Sequence, residues 1–297
     1  MQLGDYRVEI IPDTEFRLDG GAMFGVVPRV LWERVCRPDE KNRIRLNMNC
    51  VFIDTGNERI LIETGIGEKW TAKETEMYGI FRAKPFAETL FEKTGCRTED
   101  VTIVVNTHLH FDHAGGNTIF PGYPSYKGGV AAASADGVVL PDTPLSQFPN
   151  ARYLVSKSEF DHAKSPHDRD RASYLPENWQ PIERSGQLEL MSDEYEPVPG
   201  LKIQTIRGHS ETMQTWQLDS GGKTMYGFAD LIPTRHHIPP AWVMGYDLYP
   251  VETVEFKKRV LPQAVEDDWY CLFYHDFDYP LCRLESVDGK IQAKPVI

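Results

Sequence analysis

The stretch Thr107-His108-Leu109-His110-Phe111-Asp112-His113-Ala114-Gly115-Gly116 places three histidines and one aspartate within six residues. The whole chain of 297 residues has nine histidines, so this spacing stands far above chance. Neutral imidazole is a common ligand of zinc and related metals, and a carboxylate often completes such a set. The two glycines at its end would let the backbone turn tightly. The motif therefore predicts a metal site.

The sequence before the motif explains how two of its histidines can share a metal. Residues 101–105 form a β-branched run that is typical of a buried strand. On an extended chain, residues two apart point the same way, so His108 and His110 would face one metal. In a helix their side chains would diverge by about 200°. Asp112 and His113 then begin the next element, where a second metal could be held.

The overall composition is that of an ordinary globular protein. Hydrophobic residues make up 41% of the chain, charged residues 26%, and the net charge is −12. So acidic a chain is a poor match for nucleic acid or an anionic membrane. No run approaches 18 apolar residues, and residues 1–6 lack the features of a signal peptide. Five cysteines without a CxxC pair predict no disulfide framework. We therefore expect a cytoplasmic protein whose partner is a small molecule.

Two irregular segments are candidates for covering a pocket. Residues 19–28 contain Gly20, Gly21 and Gly25, and we expect an apolar loop that either lines a pocket or packs in the core. Residues 117–150 are rich in Gly, Pro, Ser and aromatic side chains, and they begin beside the histidine motif. The sequence leaves the role of both segments open.

Three further polar residues stand at the ends of later strands. His209 follows the expected strand over residues 201–206, Asp230 ends another over residues 224–228, and His275 ends a third. Each residue alone is a weak signal, because a histidine at a strand end is usually a satisfied polar group. Together with the first motif they form a distributed His/Asp set, and that combination is specific.

With this set the chain resembles the metallo-β-lactamase-fold hydrolase superfamily, and within it the lactonase and organophosphate-hydrolase branch. The resemblance runs from an apolar hairpin over residues 49–67 to His275, and the segments 19–28 and 230–234 support the branch. It implies an α/β fold, a four-layer αββα sandwich of two mixed β-sheets flanked by helices, in a single domain over residues 1–297. It also implies two divalent metal ions, with zinc as the default and Mn, Fe or Co accepted by the same ligands.

The resemblance also implies which residues bind the metals. The first metal would be held by His108, His110 and His209. The second metal would be held by Asp112, His113 and His275. Asp230 would bridge the two metals, and so would a hydroxide. The hydroxide would attack the substrate at the group whose oxygen is bound to one of the metals. Asp112 or Asp230 would then help to move the proton to the leaving group.

Other residues are implicated around this centre. Glu63 stands where many relatives have Asp, and we expect it to support a metal-bound histidine with its longer arm. Met23 and Phe24 are candidates for the substrate pocket, as are His236 and His237, which follow Asp230 closely. The alternative for these four residues is a plain packing or surface role.

The function that these expectations favour is hydrolysis of small esters or lactones. A phosphotriesterase, a phosphodiesterase or a thiolester hydrolase could use the same centre. Residues 231–234 lack the tyrosine that acyl-homoserine lactonases place there, which weakens a quorum-quenching interpretation. A metal-binding sensor without turnover is the outside alternative. A homodimer is the expected assembly.

Overall fold

The computed structural model describes residues 1–120 and 143–296. They divide into two compact units. The first unit comprises Met1–Gln2, Tyr6–Phe16 and Met48–Ser192. The second unit comprises Leu3–Asp5, Arg17–Asn47 and Asp193–Ile297. One domain over residues 1–297 stays a prediction.

Strands outnumber helices among the described residues. The strands are β1 (Gln2–Leu3), β2 (Tyr6–Asp19), β3 (Arg43–Asp54), β4 (Arg59–Ile62), β5 (Ile103–Val105), β6 (Thr118–Ile119), β7 (Leu145–Ser146), β8 (Arg152–Ser156), β9 (Leu188–Met191), β10 (Glu194–Val198), β11 (Leu201–Thr205), β12 (Gln214–Ser220), β13 (Lys223–Gly227), β14 (Tyr270–Leu272), β15 (Leu281–Val287) and β16 (Lys290–Pro295). The helices are α1 (Gly20–Phe24), α2 (Arg29–Trp32), α3 (Ala72–Tyr78), α4 (Phe86–Thr94), α5 (Phe111–Ala114), α6 (Lys157–Lys164), α7 (Gln180–Ser185) and α8 (Pro250–Glu266). Short 3₁₀ turns cover Thr98–Asp100, Gly115–Asn117, Arg171–Ser173, Pro176–Asn178, Ala229–Leu231 and Arg235–His237.

The sheet of the first unit has the strand order β1-β2-β3-β4-β5-β8-β9. Strands β3 and β4 form the expected antiparallel hairpin, with Asp54 opposite Arg59. Strand β5 lies between β4 and β8 and runs parallel to both. A strand paired on both sides in a parallel sheet is covered on both faces, which explains why all of β5 is buried and β-branched. The histidine motif follows directly from this buried strand.

The sheet of the second unit has the strand order β10-β11-β12-β13-β14-β15-β16. Its neighbours are antiparallel except for β13 and β14, which run parallel and are connected through α8. The ends of β11, β13 and β14 and the start of β12 therefore meet at one edge of the sheet. This topology brings His209, Asp230 and His275 to the same edge, since each of them lies just beyond one of those strand ends.

The glycine-rich segment 19–28 differs from its expectation. Instead of a loop, residues Gly20–Phe24 form the short helix α1. The helix begins there because the side chain of Asp19 accepts a hydrogen bond from Ala22 N at 2.8 Å, which satisfies an exposed backbone donor. The isolated Asp–Gly–Gly pattern gave no helical periodicity by which this turn could be predicted.

The irregular segment 117–150 is described only at its two ends. There β6 and β7 pair as a short antiparallel ribbon, with Thr118 opposite Ser146. Residues 121–142 lie outside the described residues, so the expectation that this segment covers a pocket remains a prediction. In the part of the chain that the structure describes, no helix is long and apolar enough to cross a lipid bilayer.

Candidate metal centre

The histidine motif leaves β5 as an extended chain and enters α5 after His110, which has φ −63° and ψ 153°. The rings of His108 and His110 lie 4.5 Å apart between centroids, and their possible ligand nitrogens are within 4.8 Å of each other. Leu109 between them is fully buried in a cluster with Phe160 and Trp179. The alternation of an extended chain thus aims the two imidazoles one way and the leucine into the core.

The second half of the motif is equally compact. Asp112 and His113 both lie in the first turn and a half of α5 and are buried. Their possible ligand atoms are within 4.8 Å of each other. The ring of His113 also lies 4.0 Å from that of His108. Within the first unit, the structure brings together all four residues that the motif singled out.

Two buried glutamates hold the backbone on either side of His108. Oε1 of Glu63 accepts a hydrogen bond from Thr107 N at 3.1 Å. Oε1 of Glu159, which lies in α6, accepts one from Leu109 N at 2.7 Å. Both carboxylates are fully buried, so these charge-assisted hydrogen bonds fix the position of the loop firmly. The role of Glu159 was missed, because nothing in the local sequence places α6 under the motif.

The ring orientations are set from the Nδ1 side. Nδ1 of His108 lies 3.0 Å from the hydroxyl of Thr107, and Nδ1 of His113 lies 3.3 Å from Oε1 of Glu63. A histidine whose Nδ1 is held in this way presents Nε2 to a metal, and its outer partner fixes the tautomer. Glu63 sits where the sequence led us to expect it, at the turn that follows β4, with a positive φ of 64°.

The two glycines that end the motif are required by close approach of the backbone. A Cβ at Gly115 would lie 2.2 Å from the carbonyl oxygen of Ile66, and one at Gly116 would lie 2.1 Å from that of Thr64. The chain also hydrogen-bonds across this contact, from Thr64 N to His113 O at 2.9 Å. Gly115 itself has φ −58°, so it needs no special turn conformation. These glycines are therefore required by the close packing of the backbone, and not by the tight turn that we expected.

In the second unit, Asp230 lies between two histidines. Its Oδ1 is 3.0 Å from Nε2 of His275, and its Oδ2 is 3.6 Å from Nε2 of His209. All three side chains are buried. The two oxygens of one carboxylate therefore face two different imidazoles.

The Nδ1 atoms of these two histidines are held from outside the trio. Nδ1 of His209 lies 3.1 Å from Oδ1 of Asp247, and Nδ1 of His275 lies 3.0 Å from the carbonyl oxygen of Asn47. The contact of Asp247 with His209 was not predicted from the sequence. This residue lies in an irregular segment, and its position depends on backbone hydrogen bonds such as Leu248 N to His209 O at 3.0 Å. A local pattern carries no signal for such a contact.

The chemistry of each donor set suits a divalent metal. Buried imidazoles with a supported Nδ1, combined with buried carboxylates, are the ligands that zinc and its neighbours in the first transition row accept. The first unit offers three buried histidines, with Nδ1 neighbours at His108 and His113, and one buried aspartate. The second unit offers two buried histidines with Nδ1 neighbours and one buried aspartate. The residues present therefore fit the metals that the resemblance implies.

Three of the expected pocket residues are packed together inside the second unit. Met23, Phe24 and His237 are all buried, and the rings of Phe24 and His237 stack at 4.6 Å between centroids. Nε2 of His237 lies 2.9 Å from the carbonyl oxygen of Met23, and its Nδ1 lies 2.8 Å from the hydroxyl of Thr234. Burial, with Lys257 nearby, lowers the pKa of His237 to about 3. The structure therefore favours the packing alternative for these three residues.

His236 is placed differently. It is partly exposed and lines a cavity of about 180 Å³ whose wall also includes His275. Burial and the neighbouring Arg235 lower the pKa of His236. Contact between His236 and a substrate remains a prediction, and the cavity gives it a place to occur.

Comparison with known proteins identifies the family. The model of the metallo-β-lactamase superfamily matches residues 44–213, which is more than half of the chain. The N-acyl homoserine lactonase of Bacillus cereus is 23% identical over 188 residues, which cover 60% of this chain and 61% of that enzyme. The N-acyl homoserine lactonase AiiA of Bacillus thuringiensis subsp. kurstaki is 24% identical over 182 residues, 58% of each chain. The matches thus span about three fifths of these curated relatives.

Solved structures agree on the fold. A protein from Staphylococcus aureus described as a probable metal-dependent hydrolase superposes with a TM-score of 0.85 at 29% identity, covering 100% of this chain and 99% of that one. A hydrolase of the β-lactamase superfamily gives 0.75 at 20% identity, covering 100% and 96%. A dizinc quorum-quenching lactonase gives 0.73 at 17% identity, also covering 100% and 96%.

The chain therefore belongs to the metallo-β-lactamase superfamily, and its fold is the α/β metallo-β-lactamase fold. This confirms the predicted fold class and the predicted resemblance to the lactonase-like branch of metal-dependent hydrolases.

Proposed function

We propose that the protein is a dinuclear metal-dependent hydrolase of small-molecule esters or lactones. One observation carries this proposal most directly, the placement of Asp230. The two oxygens of this carboxylate face two separate imidazoles, those of His275 and His209, so Asp230 would serve as a ligand to both ions.

The proposed ligands are those that the family resemblance implies. The first ion would take His108, His110 and His209, with one oxygen of Asp230. The second ion would take Asp112, His113 and His275, with the other oxygen of Asp230.

The chemistry of the bound ions is simple to state. When bound, two divalent metals supply a hydroxide near neutral pH and polarise the oxygen of a carbonyl or phosphoryl group. The chain's own residues do the rest. Asp112 and Asp230 provide buried carboxylates that can accept the proton of the attacking water and pass it to the leaving group. Glu63 and Asp247 keep the imidazoles of His113 and His209 in one orientation.

The choice of esters and lactones rests on the relatives. The curated proteins that match are N-acyl homoserine lactonases, and one superposed structure is a dizinc quorum-quenching lactonase. These relatives are only 17–24% identical to this chain, so their reaction class is a proposal for it. The acidic net charge of −12 makes a small molecule a better partner than nucleic acid.

Size-exclusion chromatography with light scattering would test the proposed homodimer.

The decisive experiment combines metal analysis with hydrolysis assays. We expect about two metals per chain by elemental analysis, activity that a chelator removes, and recovery on adding zinc, manganese, iron or cobalt. The assay panel contains an aryl ester, a lactone and a phosphotriester, and we expect the first two to be hydrolysed faster. A metal-loaded protein that prefers the phosphotriester would transfer the proposal to the organophosphate branch. A protein that binds metal but turns over no substrate would support the sensor alternative.

A further inference from the structure

A large cavity in the second unit is lined mainly by α8, the edge strand β16 and the segment 238–240. Its volume is about 650 Å³, which is within the range of small-molecule sites in proteins. The apolar part of its described lining consists of Ile238, Pro239, Pro240, Leu261, Pro262 and Ile291. Three lysines also line it, and no described residue of the lining is acidic. A chain of net charge −12 therefore has an apolar cavity whose charged lining is of one sign, positive.

Lys257 is a buried cation in the wall of this cavity. Its Nζ donates to the carbonyl oxygen of Trp242 at 2.6 Å and lies 3.5 Å from that of Pro239. Among the residues that the structure describes, no carboxylate forms an ion pair with it. Burial accordingly lowers the pKa of Lys257 to about 7, although the charge of Asp247 acts in the opposite direction. A buried ammonium without a counterion is costly, so an anion placed near it would be stabilised.

The other two lysines of the lining are exposed and differ in their partners. Nζ of Lys258 lies 2.8 Å from Oε1 of Glu255 in the same helix, so its charge is already paired. Lys290, at the start of β16, has no ion-pair partner among the described residues. Lys294 on the same strand lies outside the described lining and is 3.8 Å from Oε2 of Glu285. The positive charges without a counterion in the described lining are therefore those of Lys257 and Lys290.

We propose that this cavity binds a medium-chain carboxylate, with its negative charge towards Lys257 and Lys290. The aliphatic tail packs against Leu261 and Ile291, and each methylene removed from water strengthens binding about fourfold. The carboxylate supplies the counter-charge that the described residues do not give Lys257. A phosphate dianion fits less well, because an apolar lining compensates little of its larger cost of desolvation. None of the proposed metal ligands lines this cavity, so the inference stands apart from the proposed function.

Isothermal titration of the metal-loaded protein with octanoate, n-octanol and acetate tests both parts of the ligand. At about pH 6.5 the amine of Lys257 is mostly protonated, because this pH is below its pKa of about 7. We expect about one octanoate to bind per chain. We expect n-octanol, which lacks the charge, and acetate, which lacks the tail, each to bind at least about tenfold more weakly.

Variants of the lining locate the site. Lys257→Met should weaken octanoate binding about tenfold and leave n-octanol binding unchanged, because it removes the charge and keeps an unbranched apolar side chain. Lys290→Met should weaken octanoate binding about threefold, the smaller effect of an exposed charge. Lys294→Met is its matched control on the same strand and should leave binding unchanged. Ile291→Trp should fill the cavity and abolish binding of both ligands.

Asp230→Asn separates this cavity from the proposed metal centre. Asp230 does not line the cavity, so this variant should bind octanoate as the wild type does, whatever its metal content. Loss of octanoate binding in Asp230→Asn, with unchanged binding in Lys257→Met and Lys290→Met, would place the ligand at the metals and overturn the inference. The inference is also wrong if octanoate does not bind, if n-octanol or acetate binds as tightly as octanoate, or if neither lysine variant weakens octanoate binding.

Discussion

The two units reach similar arrangements of side chains by opposite routes. The first unit takes its histidines and aspartate from six consecutive residues beyond one strand. The second unit takes His209, Asp230 and His275 from the ends of separate strands, across a sheet in which β13 and β14 are parallel. The first arrangement depends on the local alternation of an extended chain, and the second depends on sheet topology. A contiguous motif can therefore be recognised from the local sequence, whereas the dispersed residues come together only through the pairing of the strands.

The supports of the two sets differ as well. In the first unit, Glu63 and Glu159 hold the backbone of the ligand loop, and Glu63 also meets a ring. In the second unit, the described supports act on the rings, through Asp247 and the carbonyl of Asn47. Loss of a support in the first unit should therefore displace a whole loop, and loss of one in the second should release a single imidazole.

The largest expected effect is that of Asp230→Asn. An amide offers one acceptor oxygen and no charge, so it cannot bridge two ions. We expect kcat/KM to fall on the order of a thousandfold and occupancy to fall for both metals. Asp112→Asn should reduce occupancy for one metal only, measured by elemental analysis after dialysis against a metal buffer. Asp219→Asn, at a half-buried site on β12, is the control. Equal loss of both metals in Asp112→Asn would break the distinction between the two carboxylates.

A smaller effect is expected for Glu63→Gln. The variant keeps an oxygen for Thr107 N but loses the charge that faces His113, and it introduces an amide N–H₂ close to the side-chain amide of Asn106, which lies 3.4 Å from Oε2. We expect metal affinity to fall about 100-fold, at the upper end of the effect of outer partners. Competition with a chromogenic chelator gives the affinity directly. A change below about threefold would show that the loop is held without this carboxylate.

The corresponding change in the second unit is Asp247→Asn, for which we expect a loss of about tenfold in metal affinity. The effect is smaller because Asp247 meets one ring and leaves the backbone of His209 in place through Leu248 N. The same chelator competition applies. A loss larger than that of Glu63→Gln would reverse the ranking of the two units.

The last expected effect concerns stability and pH instead of metal affinity. Lys257 is fully buried in α8 with Nζ 2.6 Å from the carbonyl oxygen of Trp242, and burial lowers its pKa from 10.5 to about 7. Between these two pH values the unfolded chain holds a proton that the folded chain does not, so the free energy of unfolding rises with pH across that window. Below pH 7 both states hold the proton, and the contribution of Lys257 no longer changes with pH. Lys257→Met removes this rise.

We expect the wild type to gain about 2 kcal/mol relative to Lys257→Met between pH 7.5 and 9.5. Urea unfolding of the chelator-treated proteins at the two pH values measures the difference. Parallel pH dependence in the two proteins would mean that Lys257 keeps its proton in the folded state. Lys258→Met, at an exposed neighbour, is the control.

The sequence predicts the first unit's arrangement well because every step is local. A buried β-branched strand, a two-residue spacing and a following turn suffice to bring His108 and His110 together. It also pointed to His209, Asp230 and His275, since each lies beyond a recognisable strand. The supports were partly missed, because Glu159 and Asp247 lie on elements whose docking depends on tertiary contacts alone.

The pocket was the least predictable feature, for the same reason. For Met23 and Phe24 the sequence left pocket lining and core packing open, and in the structure both side chains of the capped helix α1 are buried. The cavity beside His236 and His275 is also lined by Arg37, Arg45 and Arg235, and the last of these lies almost two hundred residues after the other two. Only the fold shows that an acidic chain gathers three guanidinium groups in one place.

The parallel pairing of β13 with β14 also sets the order in which the chain can assemble this edge. Trp216 pairs with Gly227 across a hairpin that leaves ten residues between them, whereas Gly227 pairs with Leu272 across 44 intervening residues. Closing the longer loop costs about 1 kcal/mol more in chain entropy. This loop contains α8, which must be accommodated before the two strands can pair. We therefore expect the strand before Asp230 to pair with its hairpin partner before His275 is brought next to Asp230, so that the affinity for a second ion develops late in folding. The pairing of β14 with β13 would then be the step after which a nascent chain could retain a second ion.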